Sequence, residues 1–137
     1  MQVTTKRQLT VALENYPGRL AAVSTTIAQE GINIEAISLI DSIEQGLIRL
    51  VTSEPSICKA LLVKQGFYVI EADVLAVEVI DSLGQLSRLT DLLAAAKINI
   101  EYTYGSTTRP GEKMRLMLKV SDLSKACEVL AQIKESC

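Results

Sequence analysis

The sequence has no histidine and no tryptophan, and its aromatic residues are four tyrosines and one phenylalanine. Without histidine, the chain has no Ser–His–Asp or Cys–His catalytic system and no histidine-based metal site. The 14 basic and 16 acidic residues nearly balance, so the chain lacks the basic surface that attracts nucleic acid or an anionic membrane. We therefore expect a protein that is not an enzyme, holds neither cofactor nor metal, and binds neither nucleic acid nor membrane.

Cysteine is also scarce, since Cys58, Cys127 and Cys137 are the three present and none of them forms a C-x-x-C motif. This number and spacing predict neither a disulfide framework nor a thiolate zinc site. Cys58 and Cys127 stand among apolar residues, where free cysteines are usually buried thiols. The first residues do not resemble a secretory signal, and no apolar run reaches the ~20 residues of a membrane span. We expect a cytoplasmic protein with reduced thiols.

The sequence does contain an internal repeat. Hydrophobic residues make up 48% of the 137 residues, which is enough for a folded core. A shift of 66 residues superimposes the two halves of the chain without a gap. The superimposed pairs include Leu9 and Leu75, Val11 and Val77, Gly18 and Gly84, Asn33 and Asn99, Arg49-Leu50 and Arg115-Leu116, and Lys59-Ala60 and Lys125-Ala126. We interpret the chain as two copies of one unit, residues 1–73 and residues 74–137.

Both copies have the same order of predicted elements. Large apolar residues alternate from Leu9 to Leu13 and predict a half-buried strand. The helical spacing of Leu20, Val23 and Ile27 then predicts a helix with these residues on its buried face. Two more strands, a second helix and a last strand complete a β-α-β-β-α-β order, which is the ferredoxin-like motif. The expected fold class is α+β, with two ferredoxin-like repeats whose antiparallel sheets lie side by side.

The second copy differs from the first because it lacks a clear last strand. The first copy closes with an apolar strand at residues 67–71, whereas residues 133–137 are few and mostly polar and are interpreted as a frayed helix end. Natural proteins rarely leave a sheet edge uncovered. We therefore expect this edge to be covered either by another chain or by residues 1–6.

One motif carries a family resemblance. The run Asn15-Tyr16-Pro17-Gly18-Arg19-Leu20, followed by Gly31-Ile32-Asn33-Ile34, resembles the ACT-domain signature (D/N)-x-P-G-x-L and G-(I/V)-N-I. The second copy matches more loosely, with Leu83 in place of the proline and Lys97 in place of the glycine. The chain is similar to a small stand-alone tandem ACT protein. This resemblance implies a regulatory module that binds an amino acid at a domain interface and is attached to, or controls, a metabolic enzyme.

The residues themselves suggest how such a module would bind an amino acid. The turn ending at Gly18 or Gly84 leaves unpaired amides at a helix N-terminus, where a carboxylate fits. Asn15, Asp81 or strand carbonyls are candidate partners for the ammonium group, and Asn33 and Asn99 would reach the ligand across a domain interface. The complete set of candidate ligand-binding residues is Asn15, Tyr16, Pro17, Gly18, Arg19, Leu20, Asn33, Ile34, Asp81, Ser82, Leu83, Gly84, Gln85, Leu86, Asn99 and Ile100.

Other interpretations stay open at this point. The two turn glycines are also what any strand-to-helix turn of this kind requires. A role for Asn33 and Asn99 in bonding backbone at the start of a strand explains these residues equally well. Either of the two turns can be the competent site. For the whole chain, the leading hypothesis is an amino-acid sensor acting as a homodimer. The alternative is a dimerisation scaffold of a metabolic enzyme without a ligand of its own. RNA binding is disfavoured because residues 114–120 lack the aromatic motif of that β-α-β-β-α-β class.

Overall fold

The computed structural model describes residues 1–14, 16–41, 45–106 and 109–132. The candidate ligand residue Asn15, the expected frayed end at 133–137 and the third cysteine, Cys137, lie outside these residues. In chain order the elements are β1 (Gln2–Glu14), α1 (Arg19–Gln29), β2 (Ile34–Asp41), β3 (Gln45–Thr52), α2 (Pro55–Lys64), β4 (Val69–Ile80), α3 (Gln85–Ala95), β5 (Ile100–Ser106), β6 (Lys113–Val120) and α4 (Leu123–Ala131). None of the helices in these residues is long and apolar enough to cross a membrane.

The chain forms two compact units. The first unit is Arg7–Ala72, and the second unit combines Asp73–Cys137 with Met1–Lys6. Strands follow the order β2-β3-β1-β4 in the first unit and β5-β6-β4-β1 in the second. The strands β1 and β4 appear in both orders because the boundary between the units divides each of them. Two helices accompany the sheet of each unit. This architecture confirms the prediction of an α+β fold with two ferredoxin-like repeats.

The core of the first unit lies between one face of its sheet and its two helices. The alternating residues of β1 that the sequence places inward are buried, as are Ile48 and Leu50 of β3. From the helices, Val23, Ile27, Cys58 and Leu62 complete this core. The prediction of a buried Cys58 thiol is confirmed, and burial raises the pKa of the Cys58 thiol above its ordinary value.

One residue that the sequence places on the buried face of the first helix is exposed. Leu20 was expected to be buried with Val23 and Ile27, yet 39% of its side chain is exposed. Its counterpart in the second unit, Leu86, is also exposed. Both residues lie in the first turn of their helix, and helical periodicity gives the face of a residue but not whether the sheet extends beneath it. The expectation for Leu20 was therefore wrong.

The second unit obtains its fourth strand from the start of the chain. Residues 1–6 belong to this unit, and β1 lies next to β4 in its sheet. Met1 and Val3 pack against a core that includes Leu75, Val77 and Leu118. In the first unit, the start of β4 fills the corresponding position beside β1. Of the two coverings expected for the open edge, the structure shows residues 1–6, which the sequence-based division had placed in the first repeat.

The spacing between equivalent residues changes part-way along the repeat. Leu9 faces Leu50 in the first unit, whereas Leu75 faces Leu118 in the second. Leu50 and Leu118 are therefore equivalent, and they lie 68 residues apart rather than 66. The gap-free shift is correct from β1 to the start of the hairpin and wrong beyond it. As a result, Arg49-Leu50 does not match Arg115-Leu116.

The cause is a longer hairpin in the second unit. The β2–β3 pair Ile40 and Leu47 corresponds to the β5–β6 pair Ser106 and Arg115, which has two more residues between its members. The same offset makes Cys58 the counterpart of Ala126, and both are fully buried. Because side chains along a strand alternate with period two, an insertion of two residues leaves every side chain on its face. The apolar pattern alone therefore does not reveal this insertion.

Candidate functional site

The turn between β1 and α1 creates an uncapped helix N-terminus. Gly18 adopts a left-handed conformation with φ 92°, which costs glycine little because it has no Cβ. The first backbone bond of the helix runs from the N–H of Ala22 to the carbonyl of Gly18. Among the described residues, no side chain caps this end, and the N–H groups of Leu20 and Ala21 have no partner. These amides and the helix dipole favour an anion at this position.

Arg19 places a positive charge beside this helix end. Its guanidinium lies 5.5 Å from the ring centroid of Tyr16 and 4.9 Å from that of Phe67. Stacking on the two rings holds the guanidinium by cation–π attraction. Its Nε atom is buried and has no hydrogen-bond partner, and no carboxylate of the described residues pairs with it. A buried charged donor without a partner is costly, so this atom is a good position for a ligand oxygen.

A cleft of about 260 Å³ opens at this point in the first unit. Its walls are mainly apolar, with a guanidinium on one side and Glu14 at the end of β1. The lining residues are Leu13, Glu14, Tyr16, Arg19, Leu20, Leu39 and Gly46. Gly46 has little space for a side chain, since a Cβ there would lie 3.3 Å from the carbonyl oxygen of Ile40. Most known small-molecule pockets are somewhat larger, so this volume suits a small ligand.

Sequence reasoning identified three of these lining residues and missed the other four. Tyr16, Arg19 and Leu20 belong to the motif that was singled out. Leu13 and Glu14 directly precede that motif, so a wider window around it would have included them. Leu39 and Gly46 reach the cleft through strand pairing, in which Leu13 faces Gly46. No local signal in the sequence points to these last two residues.

The equivalent turn in the second unit has a similar backbone but different surroundings. Gly84 is also left-handed, with φ 84°. The N–H of Asp81 donates to the carbonyl of Glu112 at 2.7 Å, and the carbonyl of Asp81 accepts from the N–H of Gly111 at 2.8 Å. The longer β5–β6 hairpin thus engages this turn directly. The remaining candidates there are Ser82 in the place of Tyr16, Leu83 in that of Pro17, Gln85 in that of Arg19 and Leu86 in that of Leu20.

The asparagine candidates lie at the other end of the first helix in each unit. The N–H of Asn33 donates to Ser53 Oγ at 3.0 Å, and its carbonyl accepts from the N–H of Ser53 at 2.9 Å. Asn99 and Ser121 form the same two bonds. The 11 residues of α1 span about 16 Å, so the structure does not bring Asn33 to Gly18 within one unit.

The isoleucines that follow the two asparagines contribute to the hydrophobic cores. Ile34 packs against the core of the first unit, and Ile100 packs against that of the second. Pro17, in contrast, is exposed within the first turn. Of the candidates from the first copy, the structure therefore groups Tyr16, Arg19 and Leu20 around the cleft, next to Gly18.

A family model described as an ACT domain pair matches residues 4–136. The chain belongs to the ACT domain pair family. This finding agrees with the signature motif at the first turn and with two ferredoxin-like units. A comparison with curated proteins gave no match.

Solved structures show where else this ACT pair architecture occurs. Protein BT0572 from Bacteroides thetaiotaomicron is 28% identical with a TM-score of 0.90, over 96% of this chain and 90% of that chain. The regulatory subunit of aspartate kinase from Thermus thermophilus is 14% identical with a TM-score of 0.68, over 98% and 99% of the two chains. The corresponding subunit from Thermus flavus is 17% identical with a TM-score of 0.60, over 98% of each chain. At these lower identities, the two aspartate kinase subunits establish a shared fold.

Proposed function

We propose that this ACT pair is a regulatory module that binds a free amino acid in the cleft of the first unit. The observation that carries the proposal is the guanidinium of Arg19, which lies over the rings of Tyr16 and Phe67 with its Nε unsatisfied. The free amides of Leu20 and Ala21 adjoin it at the start of α1. A carboxylate would pair with both groups at once, through charge-assisted hydrogen bonds.

The rest of the cleft suits the remaining parts of an amino acid. Glu14 contributes an oxygen acceptor for the ammonium group at the end of β1. Leu13, Leu20 and Leu39 supply an apolar surface for the side chain. Gly18 allows the ligand to approach the backbone, because a Cβ built there meets no atom within 4 Å and would project into open space.

The turn of the second unit is proposed to be structural. Its backbone already bonds to the β5–β6 hairpin through Asp81, and Gln85 provides no positive charge where the first unit has Arg19. A ligand carboxylate at Gly84 would meet helix amides without the ring-stacked guanidinium that Arg19 supplies in the first unit. One competent cleft per chain is therefore expected.

The module is further proposed to act on a metabolic enzyme as a homodimer, without catalytic activity of its own. Support comes from the fold it shares with the regulatory subunits of aspartate kinase named above. A cytoplasmic location is proposed because Cys58 and Cys127 are free thiols, which persist in reducing compartments.

Isothermal titration with the individual amino acids tests the proposed ligand. Arg19→Gln gives the first unit the residue that the second has at the same position, and it should weaken binding roughly 10- to 100-fold, as expected for the loss of a charged hydrogen bond. Arg88→Gln removes an exposed arginine from α3 and is the matched control, with binding unchanged. Equal affinity of Arg19→Gln and the unaltered protein would contradict the proposed site. Absence of binding by every amino acid would favour the second candidate function, a dimerisation scaffold.

A further inference from the structure

Gly46 forms part of the wall of the cleft in the first unit. It faces Leu13 of β1, and Ile48, two residues further along β3, faces Val11. Residues that pair in this way share a face of the sheet. Because Leu13, Ile48 and Val11 are buried against the helices, Gly46 lies on the helix-facing side of the sheet. The cleft therefore opens where β3 has no side chain.

The second unit has a methionine at the equivalent position. Val79 is the counterpart of Leu13, and it faces Met114 across β4 and β6. Met114 is therefore the counterpart of Gly46. Its side chain packs against the core of the second unit, so that unit has a long apolar side chain where the first unit has free space over β3.

A second difference accompanies the first on the neighbouring strand. Leu39 of β2 faces Ile48, and Gly105 of β5 faces Leu116, which is equivalent to Ile48. Leu39 thus corresponds to Gly105. The first unit combines a leucine on its outer strand with a glycine on the next strand, whereas the second unit combines a glycine with a methionine. The space in the cleft is a feature of the first unit that its own repeat does not share.

The side chains around this space are apolar and incompletely covered. Leu20 is 39% exposed and Leu39 is 53% exposed, although both line the cleft. The charged residues that line it are Glu14 and Arg19, which the proposed function assigns to the ammonium and carboxylate groups of the ligand. A charged ligand side chain would lose water here without gaining a partner, which is costly. An aliphatic side chain would instead cover the two leucines.

We propose that Gly46 determines the specificity of the cleft, because it leaves space for the side chain of a branched aliphatic amino acid such as valine or leucine. This inference rests on the proposed function and adds the class of side chain that the site selects. The ligand side chain lies over Gly46, between Leu13 and Leu39, in the space that the side chain of Met114 takes in the second unit. The cleft volume of about 260 Å³ is below that of most ligand sites and favours such a side chain over an aromatic one.

The size of the preference follows from the contact area. Each methylene group buried in an apolar site tightens binding about 4-fold. Leucine has three more carbons than alanine, so complete burial would favour leucine roughly 60-fold. Because the cleft is open to solvent, the contact is partial, and the expected preference is about 10-fold or more.

Isothermal titration of the full chain with alanine, valine, leucine, aspartate and lysine tests the inference. The decisive quantity is the ratio of the leucine to the alanine affinity, because a general structural defect would lower both affinities together. Gly46→Met introduces the residue of the second unit and should reduce this ratio to about 1, as expected when the pocket for the larger side chain is filled. Leu47→Met is the matched control, since its side chain lies on the opposite face of β3, and the ratio should be unchanged.

The possible outcomes separate this inference from the proposed function. An unchanged ratio in folded Gly46→Met would overturn the inference, and so would tighter binding of aspartate or lysine than of leucine, while the carboxylate site at Arg19 would stand in both cases. Absence of binding by every amino acid would contradict the proposed function and the inference together. Equal loss of alanine and leucine binding would give Gly46 a backbone role and overturn the inference alone.

Thermal unfolding verifies that each variant is folded. If Gly46→Met is not folded, Gly46→Ala replaces it, since the added Cβ would lie 3.5 Å from Leu39 Cδ1. This smaller change should lower the ratio in the same direction. An unchanged ratio in Gly46→Ala would then overturn the inference.

Discussion

Val3 tests whether residues 1–6 act as the missing strand of the second unit. Its side chain is half-buried and packs, with Met1, against the core of that unit. The substitution Val3→Ala removes two methyl groups from this core. At about 0.8 kcal/mol per buried carbon, full burial would correspond to about 1.6 kcal/mol, and half-burial lowers the expected loss to about 1 kcal/mol.

Urea unfolding measures this loss as a reduced free energy of unfolding. A loss of about 1 kcal/mol should also lower the Tm by roughly 4 °C in a protein of this size. Thr4→Ala is the matched control, since Thr4 is the exposed neighbour of Val3, and it should change stability by less than about 0.5 kcal/mol. Hydrogen exchange locates the effect, because amides of Asp73–Ile80 should lose protection while those of β3 keep it.

Two results would refute this reasoning. If Val3→Ala and Thr4→Ala were equally stable, the packing of Val3 would contribute nothing to the core. If protection were lost in the first unit and retained between Asp73 and Ile80, residues 1–6 would stabilise the first unit rather than the second.

Two further predictions concern single positions in the fold. Gly105→Ala should destabilise the protein by about 2 kcal/mol, because a Cβ there would overlap the carbonyl of Arg115 and lie 2.7 Å from Leu116 Cδ2. Thermal unfolding measures this loss, and Gly46→Ala should lower the melting temperature less. Equal melting temperatures of the two variants would be inconsistent with the β5–β6 packing. Because burial raises the pKa of the Cys58 thiol above its ordinary value of 9.0, the thiol ionises earlier in the unfolded chain than in the folded protein. The contribution of Cys58 to the free energy of unfolding should therefore be constant below pH 9 and fall as the pH rises above it. Urea titrations should find the decline in stability above pH 9 reduced in Cys58→Ala, and an unchanged decline would assign it to other groups.

Much of the fold follows from the sequence because it is written in local periodicity. The alternation from Leu75 to Val79 places these residues inward with the same certainty as the alternation in β1. Turn chemistry adds the boundaries, since both Gly18 and Gly84 are left-handed residues directly before a helix. Such signals need no knowledge of distant parts of the chain. The order of elements and the α+β class could therefore be predicted.

The features that could not be predicted depend on pairing between distant segments. The insertion of two residues in the second hairpin preserves the alternation, so only the pairing of Leu75 with Leu118 reveals it. The exposure of Leu20 depends on where the sheet ends beneath α1. The strand formed by residues 1–6 in the second unit depends on residues more than 70 positions away. Patterns within a short window contain none of this information.

The candidate site divides in the same way. The motif around Gly18 could be found because its glycine and its helix start are local features. The stacking of Arg19 on Phe67 could not, because it joins residues that are 48 positions apart in the sequence. Asn33 was grouped with the same motif by resemblance, yet a full helix separates it from Gly18. Short-range signals thus identified the uncapped helix N-terminus beside the cleft, while tertiary contacts supply the rest of its wall.

The fourth strand of the second unit has a consequence for the order in which the protein folds during synthesis. All residues of the first unit, Arg7–Ala72, leave the ribosome before the second unit has its own helices. Residues 1–6 are made before the first unit, yet the strands and helices that they cover are made after it. The first unit can fold while translation continues, and residues 1–6 must wait beside it until α4 has emerged. For the same reason, a cut between Ala72 and Asp73 would not yield two independent halves, because the second half would leave one of its strands behind.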